Sequence, residues 1–274
     1  MKTERNYGIE LLRLCLMFMV CLLHVLGQGG ILEASKISEE GGSKIFWLIE
    51  ISCYCAVDGF ALISGYIAQD RPKKYEKIVS MWFQVLFYSL FITGVFIFLG
   101  IYKNPSIKQL LMCALPITFK QYWYFTAYFA LFFVTPILNK YLFSLDEISS
   151  KKVLLILVGL FSCLGVIYDP FESKWGYSAI WILVLYCIGV LAKRGNIFSK
   201  KKSLSLIMLW ILCVISTWAV HVIIGTERLT NYISPTILLS GLLMVILFSR
   251  LKLKGTIIKR FSLLTFGIYL FQLN

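Results

Sequence analysis

Long apolar segments separated by short basic loops are the feature that most limits the folds open to this chain. Of its 274 residues, 59% are hydrophobic and 15% are charged, whereas a soluble domain has about 25% charged residues. A helix needs about 20 residues to cross a bilayer, and a barrel strand needs about 10. The apolar segments suit helices, so the sequence predicts an all-α, polytopic transmembrane helix bundle.

We predict about nine such segments in a single domain of residues 1–274. Their approximate bounds are 8–26, 45–68, 78–101, 121–139, 153–168, 176–192, 204–224, 232–249 and 261–274. The stretch 107–117 is too short to cross and is expected to lie in the interface or to re-enter the bilayer. The last segment would form only about 21 Å of helix, so we expect either an incomplete crossing or a chain truncated at its C-terminus.

The basic residues predict the orientation of the bundle. If the N-terminus is cytoplasmic and the nine segments alternate, 19 of the 27 Lys and Arg residues fall on the cytoplasmic side and 7 fall outside, while Arg13 lies within the first segment. Basic loops favour the cytoplasmic side of a membrane. The distribution therefore predicts a cytoplasmic N-terminus, and it accounts for the net charge of +13 without a nucleic-acid partner.

Two polar residues share one face of the first segment. Arg13 and His24 are about three helical turns, or 16 Å, apart along the axis. An ionisable group at this depth tends to face the bundle interior or a water-filled cavity. Glu10 can pair with Arg13 and make its charge tolerable. In the other interpretation, the guanidinium binds a phosphate or a polarised carbonyl that arrives from the cytosol.

His24 is the first candidate for proton transfer. It is expected near the outer end of the first segment, and imidazole has an ordinary pKa of about 6.5, so it can accept a proton from a hydroxyl and later donate it. The alternative is an interfacial histidine that only forms hydrogen bonds. His221, one turn after Trp218, is a second-rank candidate. With two histidines and eight cysteines in apolar stretches, no metal site is expected.

The second segment contributes a buried acid and two close-approach positions. Asp58 would be costly at its depth if unpaired, and it is a candidate for orienting and charging a site. Gly59 and Gly65 would allow a helix or a ligand to approach closely. Because ionisable residues occur in the first, second and seventh segments, we expect these three to line a common polar cavity.

A basic turn follows the second segment. It contains Arg71, Lys73 and Lys74. Such a cluster either fixes the topology and contacts lipid headgroups, or it binds a phosphorylated cofactor. Ser64, just before the turn, is weak evidence by itself, since serine in a membrane helix often bonds its own backbone.

These features together resemble the acyltransferase family 3 group of membrane acyltransferases. The resemblance covers essentially the whole chain, and its most specific part is the spacing of Arg13 and His24. The residues that show it are 8–13 with His24, 60–66, the turn from Arg71, 122–124 and 266–269. The chain departs from the family pattern at Lys74, where a second arginine is favoured, and at Gln272, where a histidine is frequent. Family members also usually continue through at least one more helix.

The resemblance implies an O-acyltransferase of a bacterial plasma membrane. Such an enzyme takes an acyl group, usually acetyl, from cytosolic acyl-CoA and delivers it to a hydroxyl of a cell-envelope polysaccharide or a related acceptor outside. His24 would be the essential histidine and Arg13 its partner, with Glu10 or Asp58 orienting the site. The donor would be bound by a second group of residues. That group consists of Arg71, Lys73, Lys74, Ser64 and Trp123.

Two other functions fit the same residues. A non-enzymatic carrier of a lipid-linked sugar or a small anion would use the same buried charges for binding. Broken helices in paired repeats would favour a carrier, and the sequence contains no such repeat. A truncated, inactive acyltransferase remnant is the third possibility.

Overall fold

A computed structural model describes residues 6–37, 42–69 and 75–272, and every regular element in these ranges is a helix. The α-helices are α1 (Tyr7–Leu23), α2 (Ile31–Ile37), α3 (Gly42–Tyr66), α4 (Tyr75–Phe98), α5 (Ile107–Ala114), α6 (Trp123–Leu142), α7 (Glu147–Leu157), α8 (Leu164–Ile167), α9 (Ala179–Arg194), α10 (Ser203–Ala219), α11 (Pro235–Ser249), α12 (Thr256–Ser262) and α13 (Thr265–Gln272). Three π-helical stretches extend α1, α7 and α10: His24–Gln28, Val158–Cys163 and Val220–Ile224.

Six of the helical stretches in the described part of the chain are long and apolar enough to cross a membrane. They are Tyr7–Gln28, Ser43–Tyr66, Tyr75–Phe98, Trp123–Leu142, Glu147–Ile167 and Ser203–Ile224. The all-α, multi-pass prediction is therefore confirmed. Helices also occupy the other three predicted segments, but α9 and α11 are shorter, and the last segment is divided between α12 and α13. The nine-segment count and the orientation stay predictions.

Helix α3 lies at the centre of the bundle, where it packs against α1, α9 and α11. Its glycines allow this, as expected from the sequence. A Cβ on Gly59 would lie 2.7 Å from Leu16 Cδ1 of α1, and a Cβ on Gly65 would overlap the carbonyl of Tyr186 in α9. On the α9 side, the Trp181 indole N–H donates to Asp58 Oδ1 at 3.0 Å, and both residues are fully buried.

The contact of Gly59 with Leu16 fixes how α1 and α3 lie alongside each other. The two helices run in opposite directions, since Leu16 lies next to Gly59 whereas Gly27 lies near Glu50. Moving eight residues from this contact toward the end of α1 reaches His24, and the same step back along α3 reaches Ile51. His24 is therefore level with the Glu50 end of α3, whereas Arg13 is level with the Ser64 end.

The predicted short stretch 107–117 forms α5, an amphipathic helix of eight residues. Ser106 and Gln109 form a capping box at its first turn. Ser89 of α4 donates to the carbonyl of Cys113 at 2.9 Å, which attaches α5 to α4. A helix of eight residues extends about 12 Å, so α5 does not span a bilayer.

The last two helices pack against the first helix of the bundle. Helix α12 contacts α1, and α13 contacts both α1 and α4. The Tyr269 hydroxyl accepts a hydrogen bond from the Phe125 backbone N–H at 3.4 Å, which ties α13 to α6. The last helices of the described chain therefore pack beside its first helix, α1.

Candidate functional site

The space between α1, α3, α4, α6, α12 and α13 is a cavity of about 760 Å³. Four of the residues singled out from the sequence lie on its wall: Arg13, His24, Ser64 and Trp123. Pockets that bind small molecules and cofactors measure about 300–1,000 Å³ and combine apolar walls with a few polar groups. The cavity has both properties.

The cavity is long in the direction of the helix axes. Its wall on α1 runs from Arg13 to Gln28, which is about 22 Å at the rise of an α-helix. Its wall on α3 runs from Glu50 to Ser64 over a similar length. It therefore extends through much of the thickness of a bilayer core, which is about 30 Å.

At the Arg13 end, the expected ion pair is present and the guanidinium still reaches the cavity. Arg13 Nη1 lies 3.3 Å from Glu10 Oε1 and 3.4 Å from Oε2. The Arg13 side chain is 28% exposed and lies on the wall, whereas Glu10 is buried behind it. The pair thus offsets the cost of the charge and leaves guanidinium N–H groups facing the cavity.

A further cation at this end was not singled out from the sequence. Lys77, in the first turn of α4, lies on the cavity wall. It follows the basic turn of Arg71, Lys73 and Lys74, and those three residues lie outside the described part of the chain. The available signal was the position of Lys77 three residues after Lys74.

Ser64 and Trp123 both lie on the cavity wall. The Ser64 hydroxyl donates to the carbonyl of Phe60 at 3.0 Å, which is the backbone bond expected for serine in a membrane helix. Trp123 is the first residue of α6. Both therefore shape the wall, and the Ser64 oxygen keeps acceptor capacity toward the interior.

At the other end, His24 opens the π-helical turn His24–Gln28. π-Bulges within helices occur frequently at functional sites. His24 is half-buried, and its Nδ1 has no hydrogen-bond partner among the described residues. A buried nitrogen without a partner calls for an explanation, and a ligand bound in the cavity beside His24 would supply one.

Two predicted polar residues lie elsewhere. Asp58 faces α9 and bonds to Trp181, outside the cavity wall, so its position favours a role in packing over direct contact with a substrate. His221 stacks on Trp47 with ring centroids 4.0 Å apart. The expectation that the seventh segment shares the cavity is therefore wrong, because no residue of 203–224 lies on the described wall.

Further residues that were not singled out as site residues also lie on the wall. Glu50 lies on the wall near the His24 end. Four aromatic rings form a continuous series on the same wall. Their ring centroids are 5.0 Å apart for Trp123 and Tyr177, 5.1 Å for Tyr177 and Tyr232, and 5.6 Å for Tyr232 and Tyr54. These rings come from four distant parts of the chain, so periodicity within one helix gave no signal for them.

Comparison with known proteins identifies the family of the chain. The family model described as an acyltransferase domain, acyltransferase family 3, matches residues 6–274, which is essentially the whole chain. No curated protein and no solved structure matches the chain. The chain therefore belongs to acyltransferase family 3.

Proposed function

We propose that this protein is an O-acyltransferase of a bacterial plasma membrane. It takes an acetyl or other acyl group from acyl-CoA on the cytoplasmic side and transfers it to a hydroxyl of a cell-envelope polysaccharide on the outer side. The observation that supports this most directly is the single long cavity with Arg13 and Lys77 toward one end and His24 toward the other. The family membership supplies the class of reaction.

The cationic end of the cavity suits the donor. Acyl-CoA carries phosphates on its nucleotide part and the thioester on a flexible arm. The phosphates bind the basic turn of Arg71, Lys73 and Lys74, which precedes Lys77 in the chain, and Lys77 itself lies on the cavity wall. The arm extends past Arg13, Ser64 and Trp123 toward His24. A bilayer-length cavity is what allows donor and acceptor to enter from opposite sides.

The chemistry belongs to His24. The imidazole takes the proton of the acceptor hydroxyl as the oxygen attacks the thioester carbonyl carbon. The carbon–sulfur bond then breaks, and the proton passes to the sulfur, so the products are the ester and free CoA thiol. In a two-step variant, His24 first takes the acyl group from the thioester and releases the CoA thiol, and the acceptor hydroxyl then attacks the acyl-histidine. The products, ester and free CoA thiol, are the same.

The remaining predicted residues support these steps. Glu10 compensates the charge of Arg13 and fixes its position. Asp58 acts through the α3–α9 contact, where its bond to Trp181 sets the rotation of α3 and hence the wall of the cavity. Both acids are positioning residues in this proposal.

The test uses membranes that contain the full chain and acetyl-CoA labelled in the acetyl group. Label should appear in extracted envelope glycan, and His24→Ala should reduce it about 100-fold or more, the usual contribution of a general base. His221→Ala is the matched control, because it removes the other histidine outside the cavity wall, and it should transfer at the parent rate. Unchanged transfer by a folded His24→Ala protein would refute the proposal, as would movement of substrate without consumption of thioester.

A further inference from the structure

Glu50 is a polar group of the cavity that the proposed mechanism does not use. Its side chain lies on the cavity wall and the residue is only 5% exposed. Its Oε2 atom accepts no hydrogen bond from the described residues. A buried carboxyl oxygen without a partner is costly, so a native structure that keeps one in a cavity wall suggests a ligand group that completes it.

The backbone places this carboxyl group beside the π-helical turn of His24. The register set by Leu16 and Gly59 puts the Glu50 end of α3 level with His24. A Cβ built on Gly27, which belongs to the His24–Gln28 turn, would lie 3.8 Å from Glu50 Oε1. A molecule that lies in the cavity against the His24–Gln28 turn therefore also lies near Glu50.

The aromatic series begins one helical turn from the same carboxyl group. Tyr54 follows Glu50 by four residues on α3, so the two side chains share a face, and both lie on the cavity wall. The series continues through Tyr232 and Tyr177 to Trp123. Aromatic rings offer a flat apolar surface, and the C–H face of a saturated ring can pack on it.

We propose that Glu50 determines acceptor specificity by binding a second hydroxyl of the acceptor, next to the hydroxyl that reacts at His24. A hydroxyl bonded to a carboxylate forms one of the stronger hydrogen bonds in proteins. The acceptor is therefore a ring with at least two neighbouring hydroxyls, which lies against Tyr54 and Tyr232. This inference rests on the proposed transfer reaction, and it adds the residue that discriminates polyhydroxylated from monohydroxylated acceptors.

The first experiment compares two soluble acceptors with purified full-length protein in lipid nanodiscs. Methyl glucoside presents neighbouring hydroxyls, whereas monohydroxylated tetrahydropyrans present the same ring with one hydroxyl. We expect Glu50→Ala to lower kcat/KM for methyl glucoside about tenfold or more, the effect of losing a charge-assisted hydrogen bond. The rate with tetrahydropyran acceptors and the hydrolysis of acetyl-CoA without acceptor should stay at the parent level. An equal loss for both acceptors would overturn the inference.

The Glu50→Gln variant tests whether the effect of Glu50→Ala comes from the lost carboxylate or from a change in folding or side-chain shape. It keeps the shape of the side chain and one oxygen acceptor, so its kcat/KM for methyl glucoside should lie between those of the parent and Glu50→Ala. Glu33→Ala, which removes an exposed acid from α2, is the matched control and should behave as the parent does. Two results would contradict the role of Glu50 in discrimination. One is a kcat/KM of Glu50→Gln for methyl glucoside no higher than that of Glu50→Ala. The other is a kcat/KM of Glu50→Gln for tetrahydropyran acceptors below that of Glu33→Ala.

The second experiment separates this inference from the proposed function. Binding of methyl glucoside is measured by titration calorimetry without acetyl-CoA. If Glu50→Ala weakens binding and Glu33→Ala leaves it unchanged, the inference is supported, even if the parent transfers no acyl group. Absence of transfer by the parent would defeat only the proposed function. Equal binding by the parent and Glu50→Ala, or no binding by the parent, would overturn the role of Glu50 while leaving transfer to be judged by His24→Ala.

Discussion

At the scale of single residues, the spacing along α1 predicted one shared face for Arg13 and His24, and both lie on the cavity wall. Spacing along α3 was not sufficient to choose between its two acids. Glu50 and Asp58 are eight residues apart, so their side chains point in directions that differ by about 80°. One direction meets the cavity and the other meets Trp181. Only the rotation of α3 against α1 and α9 decides that Glu50 faces the cavity and Asp58 faces Trp181.

The Arg13–Glu10 pair leaves two roles for the guanidinium, and a pair of variants separates them. Arg13→Met should lower kcat/KM for acetyl-CoA at least tenfold, because charge-assisted hydrogen bonds to the donor are lost. The double variant Glu10→Gln with Arg13→Met removes the buried acid as well, so it should fold as well as the parent and still transfer slowly. The measurement is initial-rate kinetics of thioester consumption at saturating acceptor.

A double variant that transfers at the parent rate would contradict the donor role of Arg13. In that case the guanidinium would serve only to compensate Glu10. Glu10→Gln alone is the matched control, since it keeps Arg13 on the cavity wall and removes its partner.

At the scale of helices, close approach at glycine positions holds α3 in its place. Gly59 faces α1 and Gly65 faces α9, so α3 is fixed from two sides without large side chains between the backbones. Association of helices in lipid depends on such packing, because lipid tails are as apolar as the side chains themselves. The cavity wall on α3 depends on these contacts.

Gly65→Ala should destabilise the bundle. The added methyl group would overlap the Tyr186 carbonyl and force α3 away from α9, so we expect a lower melting temperature in detergent and less folded protein. Gly94→Ala in α4 is the matched control, since a Cβ on Gly94 would lie within 4 Å of no atom of a neighbouring side chain or helix. It should be neutral or stabilising, by at most about 1 kcal/mol from helix propensity. Equal melting temperatures for the two variants would show that the close approach contributes nothing.

At the scale of the whole molecule, the charge distribution predicts the sides on which the loops lie. Single cysteines introduced at outer and inner loop positions should react differently with a membrane-impermeant maleimide added to intact cells. The outer positions are Asn104, Lys174 and Glu227, and the inner positions are Ser144, Ser199 and Lys252. Labelling above the parent background is expected only for the outer set, because basic loops stay in the cytoplasm.

Lysed cells provide the control, in which all six positions should react. Labelling of Ser144 and Glu227 from the same side would contradict the alternation between them. An even number of crossings would then separate the two positions, instead of the three predicted, and the nine-segment count would be wrong.

The sequence by itself determined the class of the protein and one polar line within it. Apolar length and the absence of free water in a bilayer force helices, and the 3.6-residue period places Arg13 and His24 on one face. Local chemistry also predicted that α5 would not cross and that the glycines of α3 would be contact points. These features depend on residues that are near one another in the chain.

The tertiary structure decided which polar and aromatic groups meet. Glu50, Lys77, Tyr177 and Tyr232 join the cavity, whereas Asp58 and His221 lie outside it. These outcomes depend on the rotation and depth of whole helices, set by packing of side chains from distant segments against α3. No spacing within one segment encodes that rotation, because every face of a central helix is apolar enough to be buried and the fit between neighbours selects among them.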